Sequence, residues 1–205
     1  MIQLCKRFSA LLALSVFIAP QFLFALDWPQ FRGPERTGVS RETGLLQAWP
    51  EGGPKQVWLS RDIGLGYSGP AIADGKVFIL GASENKEYIF CLDEKTGKVL
   101  WKTSLGGMLE NAWGNGPRGT PTVDGDYVYA MSGLGNVVCA SVTDGKIKWS
   151  KTMKSLGGNI QKWGYTESVL VDGDLVLCTP GGNKGTMAAL DKRSGKLVWQ
   201  SRDWE

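Results

Sequence analysis

The sequence contains no histidine. A Ser-His-Asp triad, a cysteine–histidine pair and a histidine-ligated metal are therefore excluded within this chain. Cysteine is also scarce: Cys5 lies in the first segment, and only Cys91, Cys139 and Cys178 follow, an odd number that cannot pair completely. The absence of histidine favours a binding protein over a catalyst.

A strong charge of one sign and a long apolar run are also missing. The formal net charge is only +3 and includes Lys6 and Arg7, so neither a nucleic-acid surface nor a polybasic membrane patch is indicated. The uncharged stretch 8–25 is interrupted by Pro20 and is shorter than the ~20 residues of a spanning helix. It predicts a cleaved signal peptide at residues 1–25 and a secreted or periplasmic protein, with an uncleaved membrane anchor as the alternative.

A repeated motif organises the rest of the chain. Its pattern is Asp-x-x-Thr-Gly-Lys-x-x-Trp, complete in the first copy. The second copy has Ser141 in place of Asp and Asp144 in place of Thr, and the third has Ser194 in place of Thr. The repeat residues are Asp93, Gly97 and Trp101, then Gly145 and Trp149, then Asp191, Gly195 and Trp199. Trp58 resembles the end of an earlier copy. A period of roughly 45–50 residues is typical of stacked structural repeats.

Each copy also carries an Asp-Gly pair between apolar runs, at 74–75, 124–125 and 172–173. Such pairs are a strong signal for a β-hairpin. Four short strands in about 45 residues are typical of one propeller blade. The sequence therefore predicts an all-β fold, a β-propeller of four-stranded antiparallel blades. Three blades are expected, at about 66–104, 116–152 and 163–202, within a repeat region 54–205 that follows a lead-in segment, 26–53.

These motif residues resemble the pyrroloquinoline-quinone (PQQ) repeat family, the quinoprotein-alcohol-dehydrogenase-like propellers. Residues 27–34 look like the lead-in of a secreted bacterial subgroup. The resemblance implies that each motif tryptophan docks on the neighbouring blade. It also implies a ring of more than three blades, so the chain is expected to be the N-terminal part of a longer protein, with the missing C-terminal blades as a partner. The repeat is specific for the fold and not for an activity.

The loops that precede the first strand of each blade, here called the approach loops, are the candidate ligand site. The second contains Trp113 and Arg118, and the third contains Trp163 and Glu167. Aromatic rings with one cation and one carboxylate suit a flat cofactor or a peptide. The alternative is structural, with an Arg118–Glu167 ion pair between adjacent inner strands and the tryptophans as packing.

Two functions stay open. One is a non-catalytic extracytoplasmic scaffold, like the propeller that assists outer-membrane protein assembly, with a protein or small-molecule ligand at the channel mouth. The other is part of a PQQ-dependent alcohol-dehydrogenase-like oxidoreductase. The family's calcium ligands, catalytic carboxylate and adjacent cysteine pair match no motif here, so we expect no catalytic residue, no metal and no cofactor in this fragment; PQQ and calcium would belong only to a full-length enzyme. Cys91 and Cys139, at equivalent positions, are expected to be small buried residues.

Overall fold

The computed structural model describes residues 25–202. The expected signal peptide lies outside this range except for Ala25, so its cleavage stays a prediction. Within this range, every regular element is a β-strand apart from one 3₁₀ turn, Met153–Leu156. The strands form three separate four-stranded sheets.

Each sheet is an antiparallel meander in which consecutive strands are paired. Blade 1 contains β1 (Ala71–Ala73), β2 (Lys76–Ser83), β3 (Lys86–Asp93) and β4 (Val99–Gly107). Blade 2 contains β5 (Thr122–Asp124), β6 (Tyr127–Met131), β7 (Asn136–Ser141) and β8 (Ile147–Thr152). Blade 3 contains β9 (Leu170–Asp172), β10 (Leu175–Cys178), β11 (Ala188–Asp191) and β12 (Leu197–Gln200). The predicted succession of three four-stranded antiparallel units is confirmed.

The Asp-Gly pairs lie at the first hairpin of each blade. In blade 1 both residues form the two-residue turn, with positive φ at Asp74 (50°) and Gly75 (70°). These angles suit the tight turn that matches strand twist. In blades 2 and 3 the turn shifts by one residue, so the aspartate ends the strand and Gly125 or Gly173 takes the positive φ.

The hydrophobic core lies between the blades. One cluster joins blade 1 to blade 2 and includes Phe78, Ile89 and Val138, all 2 % exposed or less. A second joins blade 2 to blade 3 and includes Tyr129 and Val176. A single four-stranded sheet has two faces and cannot bury both alone, so stacking of neighbouring blades supplies the burial.

The motif tryptophans connect successive blades in one repeated geometry. Trp101 donates its indole N–H to the Val142 carbonyl at 3.2 Å, and Trp149 donates to the Lys192 carbonyl at 2.9 Å. Each ring lies against the motif glycine of the following blade. Trp101, Trp149 and Trp199 also hold equivalent positions on the outer strands, opposite Cys91, Cys139 and Ala189 respectively.

Two details differ from the sequence-based parse. Strand β4 extends to Gly107, beyond the expected end of the first blade at about 104, because β3 is long enough to pair with it along its whole length. Trp58, which resembles the end of an earlier copy of the motif, lies outside every described strand, and residues 55–59 make no backbone hydrogen bond to another described segment. Trp58 nevertheless docks like the other motif tryptophans, donating to the Glu94 carbonyl at 2.7 Å.

Candidate functional site

The first strands of the three blades lie next to one another, β1 beside β5 and β5 beside β9. The Thr122 hydroxyl in β5 donates to the carbonyl of Val169, the residue before β9, at 2.6 Å. The approach loops therefore meet at one end of this inner group of strands. The candidate residues belong to these loops.

Trp113 and Trp163 form an exposed aromatic pair. Their ring centroids are 5.3 Å apart, and the ring planes are inclined by 47°. The Asn111 side chain holds the two loops together: its carbonyl oxygen accepts from the Trp113 N–H at 3.0 Å, and its amide donates to the Lys162 carbonyl at 2.7 Å. The rings remain 66 % and 46 % exposed, so they do not serve as core packing.

Arg118 is held by its own loop. Its guanidinium donates to the carbonyls of Gly116 at 2.6 Å and Gly114 at 2.9 Å. Its Cζ atom lies 5.6 Å from the centre of the Tyr67 ring. Two carbonyls and an aromatic face fix the orientation of the cation, which suits a preorganised ligand contact.

Glu167 does not pair with Arg118, so the ion pair of the structural alternative is not formed. Its carboxylate accepts from the backbone N–H of Thr179 at 2.8 Å and from the Thr179 hydroxyl at 3.1 Å. Both charged groups find partners nearby along the chain, which removes the need for a bridge between the strands. Desolvation raises the pKa of Glu167, although the bonds from Thr179 act in the opposite direction.

Arg118 and Glu167 nevertheless line the same cleft, which has a volume of about 870 Å³. The lining also includes side chains that the sequence did not indicate. They are Trp28, Phe31 and Arg32 from the lead-in segment and Tyr67 from the first approach loop. Tyr67 connects the cleft to the aromatic pair, since its hydroxyl donates to the Trp113 carbonyl at 3.3 Å. The cleft thus offers rings for stacking and fixed charges for hydrogen bonding.

A buried carboxylate lies between blades 1 and 2. The Glu87 side chain is fully buried and accepts from the N–H groups of Leu109 at 2.9 Å and Gly133 at 2.7 Å. Burial raises the pKa of Glu87, against these two bonds and the nearby charge of Arg118. No motif indicates this residue, because its hydrogen-bond donors are backbone N–H groups of distant loops.

The three cysteines of the described range are buried and unpaired. Burial raises the pKa of Cys91 to about 12, of Cys139 to about 11 and of Cys178 to about 12. They therefore act as small apolar residues, as expected for Cys91 and Cys139.

Between residues 25 and 202, no three His, Cys, Asp or Glu side chains converge in a way that suits a metal ion. None of the helical segments described is long and apolar enough to cross a membrane.

Comparison with known proteins gives consistent results for sequence and fold. The chain is 23 % identical over 184 residues to the outer membrane protein assembly factor BamB of Yersinia pestis, covering 85 % of this chain and 43 % of that protein. It is 28 % identical over 141 residues to BamB of Kangiella koreensis, covering 63 % of this chain and 30 % of that protein. The chain thus spans less than half the length of these curated relatives.

Among solved structures, the quinohemoprotein alcohol dehydrogenase from Comamonas testosteroni superposes with a TM-score of 0.58 at 18 % identity, over 85 % of this chain and 27 % of that one. A europium-containing methanol dehydrogenase superposes with a TM-score of 0.56 at 17 % identity, over 74 % of this chain and 27 % of that one. At such identities the likeness concerns the fold, and it confirms that the three sheets are blades of an incomplete β-propeller.

The family model described as outer membrane protein assembly factor BamB matches residues 85–205. That is more than half of the chain, and it includes all three copies of the tryptophan motif. The resemblance to PQQ-like repeats is thereby confirmed, and the chain belongs to this family of PQQ-like propeller proteins.

Proposed function

We propose that this chain is the binding module of an extracytoplasmic scaffold protein and is itself non-catalytic. The observation that carries the proposal is the exposed Trp113–Trp163 pair beside a cleft in which Arg118 is fixed by two carbonyls. Large aromatic rings left outside the core, next to an oriented guanidinium, are typical of contact surfaces for a partner. The ligand or partner meets the approach loops at the channel mouth.

The partner is a protein of the outer-membrane assembly process, and the compartment is outside the cytoplasm. Support comes from the relatives in Yersinia pestis and Kangiella koreensis, which are both described as outer membrane protein assembly factors. The uncharged stretch 8–25 behind Lys6 and Arg7 agrees with export. Because the chain covers only 43 % and 30 % of those relatives, further blades complete the ring in the whole protein.

Site-specific photocrosslinking in the whole protein tests this role. A photoreactive residue replaces Trp113 and, as a control, Lys148, which is exposed on the outer strand β8. We expect protein adducts at position 113 that are lost when Arg118→Gln is added, and none at position 148. Equal labelling at both positions, or no adduct at 113, would contradict the proposal.

For the cofactor, we propose that this chain does not bind PQQ tightly. The described residues do not present a donor set that fits the quinone with calcium: no three acidic, cysteine or histidine side chains converge, and no two cysteines are adjacent in sequence. Absorbance and tryptophan fluorescence during titration with PQQ and calcium measure the binding. Stoichiometric micromolar binding would favour the alternative, a quinone-dependent oxidoreductase.

A further inference from the structure

Part of the lead-in segment, here called the lead-in arm (residues 27–38), runs along the inner strands of the blades. The backbone N–H and carbonyl of Trp28 both pair with Ile72 in β1, at 2.8 and 2.9 Å. The next carbonyl, that of Pro29, accepts from the N–H of Val123 in β5 at 2.8 Å. The arm therefore joins the inner strands of two blades within two residues.

The arm then reaches blade 3. The guanidinium of Arg36 donates to the carbonyl of Val171 in β9 at 2.6 Å. Ile72, Val123 and Val171 are equivalent residues, each the middle of its strand and each paired to the second residue of the following strand. The arm thus bonds to backbone groups at the same level on the inner strands of all three described blades.

The same arm contributes three residues to the lining of the cleft, Trp28, Phe31 and Arg32. Arg32 has a φ of 65°, which is uncommon for a residue other than glycine. Its carbonyl accepts from the Gly38 N–H at 2.8 Å, and its guanidinium lies 3.3 Å from the Thr37 carbonyl. Such a conformation persists where the surroundings fix it, and it is often found at binding sites.

The charges of the cleft are unequal. Arg32 and Arg118 supply two guanidiniums, each with donors left after the bonds to backbone carbonyls. The carboxylate of Glu167 is engaged by Thr179 on both oxygens, and Glu87, near Arg118, is buried with both oxygens engaged. The lining of the cleft thus holds two guanidiniums against one carboxylate, so its net charge is positive, which suits an oxyanion.

We propose that the lead-in arm is part of the ligand site and that Arg32 acts with Arg118 to hold an oxyanion, a carboxylate or a phosphate, of the ligand. Phe31 and Tyr67 supply the apolar contacts beside it. This inference rests on the proposed function, because it uses the same cleft. It adds a contribution from the lead-in, which neither the repeat motif nor the family match at residues 85–205 includes.

Calorimetric titration of the full chain at low salt provides the test. The probes are isophthalate for the carboxylate, phenyl phosphate for the phosphate and benzamide as the neutral control. We expect at least one anionic probe to bind at least tenfold more tightly than benzamide. Arg32→Gln and Arg118→Gln should each raise its Kd about tenfold or more, the size of one lost charge-assisted hydrogen bond. Arg32→Lys, which keeps the charge, should recover part of the loss.

Arg41→Gln is the matched control, because Arg41 lies in the same lead-in segment but pairs with Glu35 at 2.8 Å on the surface. If Arg118→Gln abolishes binding while Arg32→Gln has no effect, the arm is not part of the site, although the proposed function stands. If neither anionic probe exceeds benzamide, the oxyanion assignment fails. The scaffold role is then tested separately, by whether a photoreactive residue at position 113 forms protein adducts.

Discussion

Trp101 rests on Gly145 of the next blade, so closely that a Cβ atom at Gly145 would lie 2.6 Å from the indole ring. The same approach occurs between Trp58 and Gly97 and between Trp149 and Gly195, with φ of 67–70° at each glycine. Glycine is therefore required at this position for two reasons. The positive φ favours glycine, and the indole ring occupies the space that a side chain would need. The motif therefore recurs in the sequence because the tryptophan of each copy packs on the glycine of the next copy.

Gly145→Ala should destabilise the protein by about 2–4 kcal/mol, from the positive φ and from overlap with the Trp101 ring. Gly125→Ala is the matched control: its φ is 55°, but no atom lies within 4 Å of the added Cβ. It should cost only about 1 kcal/mol. Urea unfolding gives both values, and equal losses in the two variants would refute the role of the ring contact.

Much of the fold could be predicted because it is periodic. The motif places Trp101, Trp149 and Trp199 on equivalent strands, and the Asp-Gly pairs mark the hairpins. The lead-in arm could not be predicted, since its contacts with Ile72 and Val123 are made by backbone groups and leave no residue pattern.

The site was predicted only in part for a similar reason. Composition indicated aromatic and charged residues in the approach loops, but it could not show that Arg118 would bind the carbonyls of Gly114 and Gly116 within its own loop. These local partners prevented the Arg118–Glu167 ion pair. Residues brought in by the lead-in, such as Phe31 and Arg32, lie too far along the chain for the repeat to indicate them.

The burial of Glu87 predicts an unusual pH dependence of the protein's stability. Because burial raises its pKa in the folded state above the unfolded value, its contribution to stability is greatest in acid and is lost as the pH rises through the folded pKa. The stability of the wild type relative to Glu87→Gln should therefore fall as the pH rises through that window. Chemical unfolding of both proteins at a series of pH values measures the difference.

Glu87→Gln should also lower stability by about 1–3 kcal/mol, because an amide has one acceptor oxygen for the N–H groups of Leu109 and Gly133. Glu110→Gln, at an exposed position, serves as the control and should change neither the stability nor its pH dependence. If the difference in unfolding free energy between wild type and Glu87→Gln is the same at every pH, the pKa of Glu87 is unchanged by folding and the prediction is wrong.

The buried thiols should be unreactive in the folded protein. Desolvation raises the pKa of Cys91 and Cys178 to about 12, so the reactive thiolate is rare at pH 8. With residues 26–205, we expect iodoacetamide to modify the three cysteines far more slowly in buffer than in urea, where mass spectrometry should show three adducts. Ser150→Cys, exposed on β8, should add one rapidly modified thiol in buffer. Rapid modification of the native cysteines would contradict their burial.

Strand β12 presents an apolar edge. Trp199 is 42 % exposed, whereas Trp149, at the same position of the previous blade, is 8 % exposed because blade 3 covers it. Leu197 and Val198 are 44 % and 55 % exposed. Exposed apolar edge strands recruit other chains. We therefore expect residues 26–205, produced alone, to self-associate with increasing concentration and to be only marginally stable, which sedimentation and thermal unfolding measure.

Trp199→Lys tests whether β12 is the point of contact. A charge on an edge strand opposes pairing between chains, so this variant should shift the sedimentation profile towards the monomer. Trp49→Lys makes the same change at a tryptophan that is 72 % exposed and lies outside every strand, so it should leave association unchanged. Equal effects of the two variants would mean that general apolar exposure drives association. A wild-type fragment that stays monomeric and unfolds sharply would mean that β12 needs no covering blade.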